Sequence, residues 1–406
     1  MKSKLNEDQK SALEILEGDS NVFLTGAAGS GKSFLMRHYL RNKDIPTLAS
    51  TGAAAILVGG RTFHSFFGLG IMEGGVAATV DRVLKNKRVV KRLKDTKAVI
   101  IDEISMISGP TLRAAETIVR KIRDNTTPWG GMRVVVVGDF AQLPPVNPHA
   151  REKEWAFMDD VWAQSDFRPV HLKKIMRTQD QEFLEVLNSI REGKVTDQVR
   201  TFLDSRIDPE PEGDLTRLFS HRGDVEKYNL SKLSEIEGPL HSFETTYTGR
   251  ERDIESFRKN SPIAEIIHLK IDALIMLRQN DPEGRWVNGS LGRVEAIKPK
   301  ELRIRLLSGY TIEIEMANFT MLDAEGLPVV TATNFPISLA WAMTIHKAQG
   351  TSLDRMLVDL RKVWEPGQAY VALSRARDPK ALFIEGWSER LIFADKSVTR
   401  FHSALV

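Results

Sequence analysis

The chain has 406 residues, of which 42% are hydrophobic and 27% are charged, and its formal net charge is +3. This length suits several domains rather than one core, and the nearly balanced charge by itself predicts no particular partner. The sequence contains no cysteine, no apolar run long enough to cross a membrane and no apolar N-terminal segment, so we expect a soluble cytoplasmic protein without disulfide bonds, thiolate metal sites, a signal peptide or a transit peptide.

Short apolar runs alternate with helical patterns in the first half of the chain. Strands are predicted over 21–25, 46–49, 98–101 and 133–137, and helices over 33–40 and 111–122. Buried strands that are separated by helices indicate a parallel sheet covered on both faces.

The second half repeats this pattern with an interruption. Strands are predicted over 215–220, 355–360 and 381–385. Between about 240 and 330 the pattern changes, because apolar residues alternate with charged ones on both sides of Ser308-Gly309. This alternation around a turn dipeptide predicts a hairpin, so we expect a small antiparallel β insertion in a second α/β domain.

A glycine-rich loop joins the first predicted strand to the first predicted helix. Its sequence is Gly26-Ala27-Ala28-Gly29-Ser30-Gly31-Lys32-Ser33. Glycines at these positions let backbone N–H groups surround phosphates, while the lysine reaches the β and γ phosphates and the serine hydroxyl binds Mg²⁺. The loop predicts a site for a nucleoside triphosphate with magnesium.

Polar residues follow two further strands. Asp102 and Glu103 end the strand at 98–101, and Gln142 follows the strand at 133–137. Beside a phosphate loop, Asp102 is a candidate magnesium ligand, Glu103 a candidate base for the attacking water and Gln142 a candidate sensor of the γ phosphate. From spacing alone, an acidic helix cap and an ordinary strand-to-loop turn remain alternatives.

Three segments could contact nucleic acid. Residues 61–68 mix one arginine with hydroxyls and aromatic rings, residues 81–97 carry eight Lys or Arg, and residues 341–350 have a helical pattern with Thr344, His346 and Lys347. Such segments can bind phosphates and stack on unpaired bases. Burial of the phenylalanines of 61–68 and a helix with a solvated basic face at 81–97 are the alternatives.

Together these segments resemble superfamily-one DNA helicases of the petite-integration-frequency (PIF) type, within the RecD-like group. The resemblance covers most of the chain and is carried by Leu5-Asn6 with Gln9, by 26–33, by 50–55 with 62–68, by 102–107, by 138–146, by 172–177 with 183–193, by 344–351 and by 370–377. Asp272 departs from the pattern, since that family usually has glycine there.

The resemblance implies an α/β fold with two RecA-like, phosphate-loop domains. The implied divisions are a first RecA-like domain at 1–65 and 91–170, a wedge insertion at 66–90, a second RecA-like domain at 171–240 and 331–390, a Src-homology-like β-barrel insertion at 241–330 and a C-terminal tail at 391–406. It further implies ATP and Mg²⁺ as cofactors, bound where the two domains meet.

The resemblance also assigns roles to individual residues. The implied catalytic residues are Lys32, Asp102, Glu103, Gln142, Arg177 and Arg375. The implied nucleotide-binding residues are Gln9, Gly26, Ala27, Ala28, Gly29, Ser30, Gly31, Lys32, Ser33 and Gly350, with Ser33 and Asp102 on the metal. The implied DNA-binding residues are Thr51, Thr62, His64, Ser65, Phe66, Thr344, His346 and Lys347.

The function implied is an ATP-dependent DNA helicase that moves 5′ to 3′ on single-stranded DNA. Its implied partners are single strands and single/double-strand junctions, and we expect a monomer. A translocase that displaces proteins without unwinding, an RNA helicase and a non-motor ATP switch remain alternatives, because all of them could use a similar nucleotide site.

Overall fold

The computed structural model describes residues 5–405 apart from 52–53, 56–60, 71, 73, 146–152, 262, 282, 284, 287 and 324. Gly52-Ala53 and Val146, which belong to two of the motifs above, therefore lie outside the described residues. The chain divides into two compact units. The first comprises Met1–Met176, Met321–Val329 and Lys396–Val406, and the second comprises Arg177–Thr320 and Val330–Asp395.

A six-stranded parallel sheet forms the centre of the first unit. Its strands are β1 (Val22–Gly26), β2 (Thr47–Ala49), β3 (Arg61–Thr62), β4 (Ala98–Ile101), β5 (Arg133–Gly138) and β6 (Arg168–Leu172). They lie in the order β3-β2-β4-β5-β1-β6, and each neighbouring pair is parallel. Strands β1 and β5 are buried almost throughout because both faces of the sheet are covered. The α/β fold predicted for this half is confirmed.

Helices cover this sheet. They are α1 (Glu7–Leu16), α2 (Lys32–Tyr39), α3 (Phe63–Phe67), α4 (Gly75–Leu84), α5 (Lys87–Asp95), α6 (Gly109–Arg123) and α7 (Asp160–Gln164). Buried residues of α1 and α2, including Leu16 and Leu35, share one core with Leu24 and Val135 of the sheet. This core fixes the loop between β1 and α2 against the sheet.

The basic segment at 81–97 forms two helices, not the single helix that its composition predicts. The Asn86 side chain accepts hydrogen bonds from the N–H groups of Arg88 and Val89 at 3.1 and 3.3 Å, which starts α5. Asparagine is favoured at such a cap because its side chain satisfies N–H groups that lack helical partners. Val89 and Leu93 are buried, and the remaining face carries the exposed basic residues.

The second unit combines a parallel sheet with antiparallel sheets. Its strands are β7 (Thr216–Phe219), β8 (His241–Glu244), β9 (Thr246–Gly249), β10 (Ile266–Leu269), β11 (Leu274–Leu277), β12 (Leu291–Ile297), β13 (Glu301–Leu306), β14 (Thr311–Glu315), β15 (Ala317–Leu322), β16 (Pro328–Asn334), β17 (Ile337–Leu339), β18 (Ala342–Thr344), β19 (Met356–Asp359) and β20 (Leu382–Gly386). The parallel sheet has the order β18-β7-β19-β20.

Antiparallel pairing builds the insertion. One sheet has the order β14-β13-β12-β11-β17, and smaller sheets pair β10 with β8 and order β15-β16-β9. The hairpin predicted around Ser308-Gly309 is present as β13 and β14. Leu302, Ile304 and Leu306 are buried while the residues between them are exposed, so the alternation in the sequence places one face of β13 in a core.

The helices of the second unit complete its layers. They are α8 (Gln181–Arg191), α9 (Asp197–Asp204), α10 (Arg222–Glu235), α11 (Glu251–Asn260), α12 (Ile345–Ala348) and α13 (Gln368–Leu373). The continuous helix suggested for 341–350 is wrong, because strand β18 occupies its first part and the short helix α12 begins only after Thr344. Thr344 caps that helix by accepting a hydrogen bond from the N–H of Lys347 at 3.1 Å.

The last helix, α14 (Lys396–Leu405), belongs to the first unit. Its Phe401 ring stacks on Phe157 with centroids 4.3 Å apart and also contacts Phe23, Phe140 and Trp162. Among the helices of the described residues, none combines the length and hydropathy needed to span a membrane.

Shortening a core side chain of the insertion should destabilise it. Ile304 is fully buried in the core of β11, β12 and β13, so Ile304→Ala should cost about 2–5 kcal/mol, whereas Ile304→Val should cost about 0.5–1.5 kcal/mol. Calorimetric unfolding of the two variants measures the difference. Equal melting temperatures for both would contradict a close-packed core at this residue.

Candidate nucleotide and nucleic-acid sites

The loop between β1 and α2 has a backbone that requires glycine. Gly29 and Gly31 have φ angles of 82° and 89°, which side chains other than glycine rarely adopt. A Cβ on Gly26 would lie 2.6 Å from the carbonyl oxygen of Leu172. The loop is therefore held close to the end of β6, and its glycines are required by its shape.

Gln9 lies against this loop. Asn6 and Gln9 form a reciprocal cap at the start of α1, in which the Asn6 side chain accepts from the Gln9 N–H at 2.8 Å and the Gln9 side chain accepts from the Asn6 N–H at 3.2 Å. Because its oxygen is used in the cap, the amide nitrogen of Gln9 faces the loop, 2.5 Å from where a Cβ on Gly31 would stand. A donor is thus fixed beside the phosphate loop.

The polar side chains of the loop fit a bound triphosphate. Lys32 Nζ donates to the carbonyl oxygens of Gly26 and Ala27 at 2.7 and 3.3 Å, which folds its ammonium back over the loop. The hydroxyl of Ser30 is buried and has no hydrogen-bond partner within the described chain. Ser33 lies in the first turn of α2. A cradle of N–H groups, an ammonium and a free hydroxyl suit phosphate oxygens.

Asp102 and Glu103 follow β4, as their sequence position predicts. Asp102 accepts a hydrogen bond from the Glu103 N–H at 2.9 Å. Burial raises the pKa of the Asp102 carboxyl, and both this hydrogen bond and the positive charge of Lys32 oppose that rise. Glu103 has a φ angle of 52°, and such backbone strain is concentrated at functional sites. A carboxylate near Lys32 suits a magnesium ligand.

Gln142 is held by a buried carboxylate. Its side-chain nitrogen donates to Asp139 Oδ2 at 3.4 Å, and its N–H donates to the Asp139 carbonyl at 3.0 Å. Asp139 is completely buried, accepts from the Ala141 N–H at 3.2 Å and lies 3.9 Å from the ring of His402 on α14. The strand β5 therefore ends in a turn whose polar side chains fix one another.

Two arginines lie together in the second unit. Arg177 donates from Nε to Ser352 Oγ at 2.9 Å and from Nη1 to the Ser374 carbonyl. Arg375 is 1% exposed and donates to the carbonyls of Val371, Ala348 and Thr351, of which Ala348 and Thr351 flank Gly350. Burial lowers the pKa of Arg177 well below its usual value, and the positive charge of Arg375 lowers it further.

The candidate DNA residues of the first unit follow strands β2 and β3. Thr51 accepts a hydrogen bond from the Ala54 N–H at 3.2 Å, and Thr62 caps α3 by accepting from the Ser65 N–H at 3.1 Å. His64 is partly buried, and burial lowers its pKa. Burial therefore favours the neutral imidazole over the charged form at this residue.

Phe66 does not have the exposure that stacking on a base requires. It is 0% exposed, as are Phe63 and Phe67. The guanidinium of Arg92 lies 5.4 Å from the Phe66 ring and donates two hydrogen bonds to its carbonyl. The three phenylalanines thus form the buried face of α3. The expectation that the Phe66 ring contacts DNA is therefore wrong, because the ring is packed inside the protein.

The second unit repeats the strand, threonine and helix arrangement. Strand β18 ends at Thr344, which caps α12, and His346 and Lys347 lie on that helix. His346 Nε2 lies 3.4 Å from the buried carboxylate of Glu365. Burial lowers the pKa of Lys347, and the charges of Arg222 and Arg278 lower it further. Both units therefore present Thr-x-His at the carboxyl end of a parallel strand.

Sequence patterns did not identify the residues that hold these groups. Asp139, Ser352 and Glu365 position Gln142, Arg177 and His346 respectively. Their residue types gave no indication of these positioning roles, because a serine or a carboxylate in a loop is common. Within the described residues no three His, Asp or Glu side chains are grouped so that they could hold a metal ion by themselves.

Sequence comparisons identify helicases as relatives. The sequence profile described as PIF1-like helicase matches residues 4–201, and a profile described as helicase matches 309–399. The ATP-dependent DNA helicase Pif1 of Bdellovibrio bacteriovorus is 49% identical over 403 residues, which cover 98% of this chain and 92% of that protein. The PIF1 helicase of Danio rerio is 34% identical over 99% of this chain, which spans 64% of that relative.

Solved structures agree with the sequence relatives. The Pif1 helicase of Candida albicans superimposes with a TM-score of 0.80 and 32% identity over 100% of both chains. Bacteroides sp Pif1 in complex with ADP-AlF4 gives a TM-score of 0.85 with 29% identity over 99% of this chain and 97% of that one. Bacteroides Pif1 bound to ssDNA gives 0.67 with 28% identity over the same shares.

The lowered pKa of His64 should appear in the pH dependence of stability. The unfolded chain takes up a proton near pH 6.5 whereas the folded chain does so only at lower pH, so His64 costs stability as the pH falls below that value. His64→Gln should lose less stability than the wild type between neutral pH and about pH 5. Melting temperatures over this range test it, and parallel curves for the two proteins would contradict a buried neutral ring.

Proposed function

This chain belongs to the PIF1-like helicase family and is an ATP-hydrolysing DNA helicase, and from that premise we propose that it moves 5′ to 3′ along single-stranded DNA and separates duplexes. The wedge at 66–90 would divide the strands, and the protein would act as a monomer on single strands and junctions. The direction of movement is inferred from the family resemblance.

ATP would bind on the first unit. The glycine loop and Lys32 would hold the phosphates, and Gln9 would hold the adenine, because its amide nitrogen faces the loop. Ser33 and Asp102 would hold Mg²⁺, which neutralises charge on the phosphate oxygens. The unpartnered Ser30 hydroxyl and the lysine folded over the loop support this arrangement.

Two side chains would act on the attacking water. Glu103 would take its proton, since it follows the strand that carries Asp102 and has a strained backbone. Gln142 would orient the water and sense the γ phosphate, because Asp139 fixes its amide group. This arrangement needs no side chain that is free to rotate.

The observation that carries the motor function is the arginine pair of the second unit. Arg177 is buried beside Arg375 and its hydrogen bonds go to a serine hydroxyl and a carbonyl. Two adjacent guanidinium groups repel each other, so a phosphate between them would be bound strongly. We propose that both act on the γ phosphate, with Gly350 beside them, and that hydrolysis therefore requires both units.

Single-stranded DNA would be gripped by each unit. Thr51, Thr62, His64 and Ser65 would contact it on the first unit, and Thr344, His346 and Lys347 on the second. The shared Thr-x-His arrangement supports two equivalent grips. Each cycle of ATP binding and hydrolysis would advance one grip relative to the other.

Unwinding of tailed duplexes tests this function directly. The protein should separate a DNA duplex with a 5′ single-stranded tail in the presence of ATP and Mg²⁺ and leave a 3′-tailed duplex intact. Electrophoresis of the products measures both. Equal unwinding of both substrates would contradict the polarity, ATP hydrolysis without any unwinding would favour a protein-displacing translocase, and preference for an RNA duplex would favour an RNA helicase.

Lys32→Ala is the matched control for that assay. Loss of the ammonium should abolish hydrolysis and unwinding, since no other cation of the loop reaches the phosphates, but it should leave single-strand binding unchanged. Fluorescence anisotropy with a labelled single strand measures the binding. Strong DNA-stimulated hydrolysis by this variant would exclude the phosphate-loop site.

Removal of an arginine of the pair should slow chemistry more than binding. Arg375→Ala should lower kcat by about 10³-fold or more, with a much smaller change in ATP affinity. Arg377→Ala is the matched control, because Arg377 follows in the same segment but pairs with Asp354 at 2.8 Å. If kcat of a folded Arg375→Ala variant equals that of the control, Arg375 takes no part in hydrolysis.

A further inference from the structure

We propose that Arg278 and Arg222, together with Lys347, form a binding site for one phosphate of the DNA backbone in the second unit. The inference rests on the single-strand binding proposed above and adds two residues to it. Neither arginine lies in the segments 61–68, 81–97 and 341–350, whose composition suits nucleic acid.

Arg278 is a buried cation that has no carboxylate partner among the residues that the structure describes. It follows β11, is 7% exposed and is fixed by its N–H, which donates to the Pro336 carbonyl at 2.8 Å. Within the described residues its Nε has no hydrogen-bond partner, and its Nη1 contacts the sulfur of Met276 at 3.7 Å, which is a weak acceptor. Burial is the cause that lowers its pKa.

Neighbouring arginines of the insertion are paired differently. Arg285 binds Asp281 through Nε and Nη2, both at 2.9 Å, and Arg305 binds Glu295 at 2.5 Å. Arginine stays protonated in proteins, and a buried charge without a counterion is costly. The free-energy cost of burying the charge of Arg278 is therefore not offset until an anion binds to it.

Lys347 brings a second cation within electrostatic range of Arg278. Its helix begins at Thr344, and its ammonium is influenced by the charges of Arg222 and Arg278 and by the carboxylate of Glu226. Glu226 is already bound to Arg222 at 2.9 Å. Three cations and one shared carboxylate leave an excess of positive charge, which one phosphate diester would offset.

Packing holds the loop that Arg278 begins. Arg278 begins the loop between β11 and β12, and the N–H of Gly289 in that loop donates to the Leu277 carbonyl at 2.9 Å. A Cβ on Gly289 would lie 3.3 Å from Thr351 Cβ and 3.4 Å from the Ser352 carbonyl, so the loop packs against the segment that follows α12. The backbone at Arg278 is thus positioned before any anion binds.

A backbone phosphate fits this site better than a free anion. Lys347 lies in the Thr-x-His segment at the carboxyl end of β18, which is the second of the two equivalent segments. Arg222 is exposed at the start of α10, whereas Arg278 is buried. A buried and an exposed arginine together suit a charge that arrives as part of a polymer.

Salt titration of DNA binding tests the site. For the full chain and a fluorescent oligothymidylate, Arg278→Met should weaken binding about tenfold to a hundredfold, and the slope of log K against log salt should fall by about 0.7, the value for one phosphate contact on a single strand. Arg278→Lys should restore the slope. Arg305→Met, which removes a paired cation of the same insertion, should match the wild type.

A second measurement locates the phosphate without destabilising the protein. When a neutral methylphosphonate replaces one phosphate at a time, the wild type should lose affinity at one central position, and Arg278→Met and Arg222→Met should be less sensitive there. An unchanged slope in a folded Arg278→Met variant, or equal sensitivity of all three proteins at every position, would overturn the proposal.

Three further outcomes separate this proposal from the function on which it rests. Displacement of the oligothymidylate by inorganic phosphate at constant ionic strength, lost in Arg278→Met, would assign the site to a free anion and overturn the DNA contact. Failure of the wild type to bind the oligothymidylate at all would overturn both proposals. Normal wild-type binding that Lys347→Ala weakens and Arg278→Met does not would overturn the site alone.

Discussion

The carboxyl ends of parallel strands impose the main constraint on this protein. Parallel strands deliver their last residues to one edge of a sheet, and polar side chains placed there share that edge. In the first unit β1 leads into the glycine loop, β4 into Asp102 and β5 into the turn that holds Gln142. Once the hydrophobic strands pair in this order, groups far apart in sequence are brought to the same side of the sheet.

Burial of charge is the second theme, and each unit handles it differently. In the first unit the charge of Asp102 is compensated in part by an N–H group and by Lys32. In the second unit Arg177 and Arg278 are buried where burial lowers the pKa of both, and the neighbour of Arg177 is another arginine. Buried cations of this kind are already in place for an anionic ligand, because the protein does not have to reorganise when the ligand binds.

Much of this architecture could be predicted from the sequence. Apolar runs gave the main strands, the spacing of glycines and Lys32 gave the phosphate loop, and alternation around Ser308-Gly309 gave the hairpin. Predictions of helices from local patterns were wrong where one side chain caps a helix and so sets where it begins. Asn86 divides the basic segment into two helices, and Thr344 ends a strand where helical spacing had suggested a longer helix. Capping competes with periodicity at such residues.

Residue roles were harder to predict than elements. Phe66 has the type of a base-stacking residue, yet tertiary packing buries it. Arg278 has the type of a surface residue, yet it is buried and pairs with no carboxylate in the described part of the chain. In both cases the deciding fact is exposure, which depends on contacts distant in sequence.

Helix α14 has a consequence for synthesis of the chain. Its Phe401 covers aromatic rings of the first unit, including Phe140 beside the Gln142 turn, although the second unit lies between them in sequence. On the ribosome the first half emerges early, but its aromatic core lacks Phe401 until residues 396–405 have left the exit tunnel. Folding of the nucleotide-binding unit is thus tied to the synthesis of a helix that follows the whole second unit in sequence.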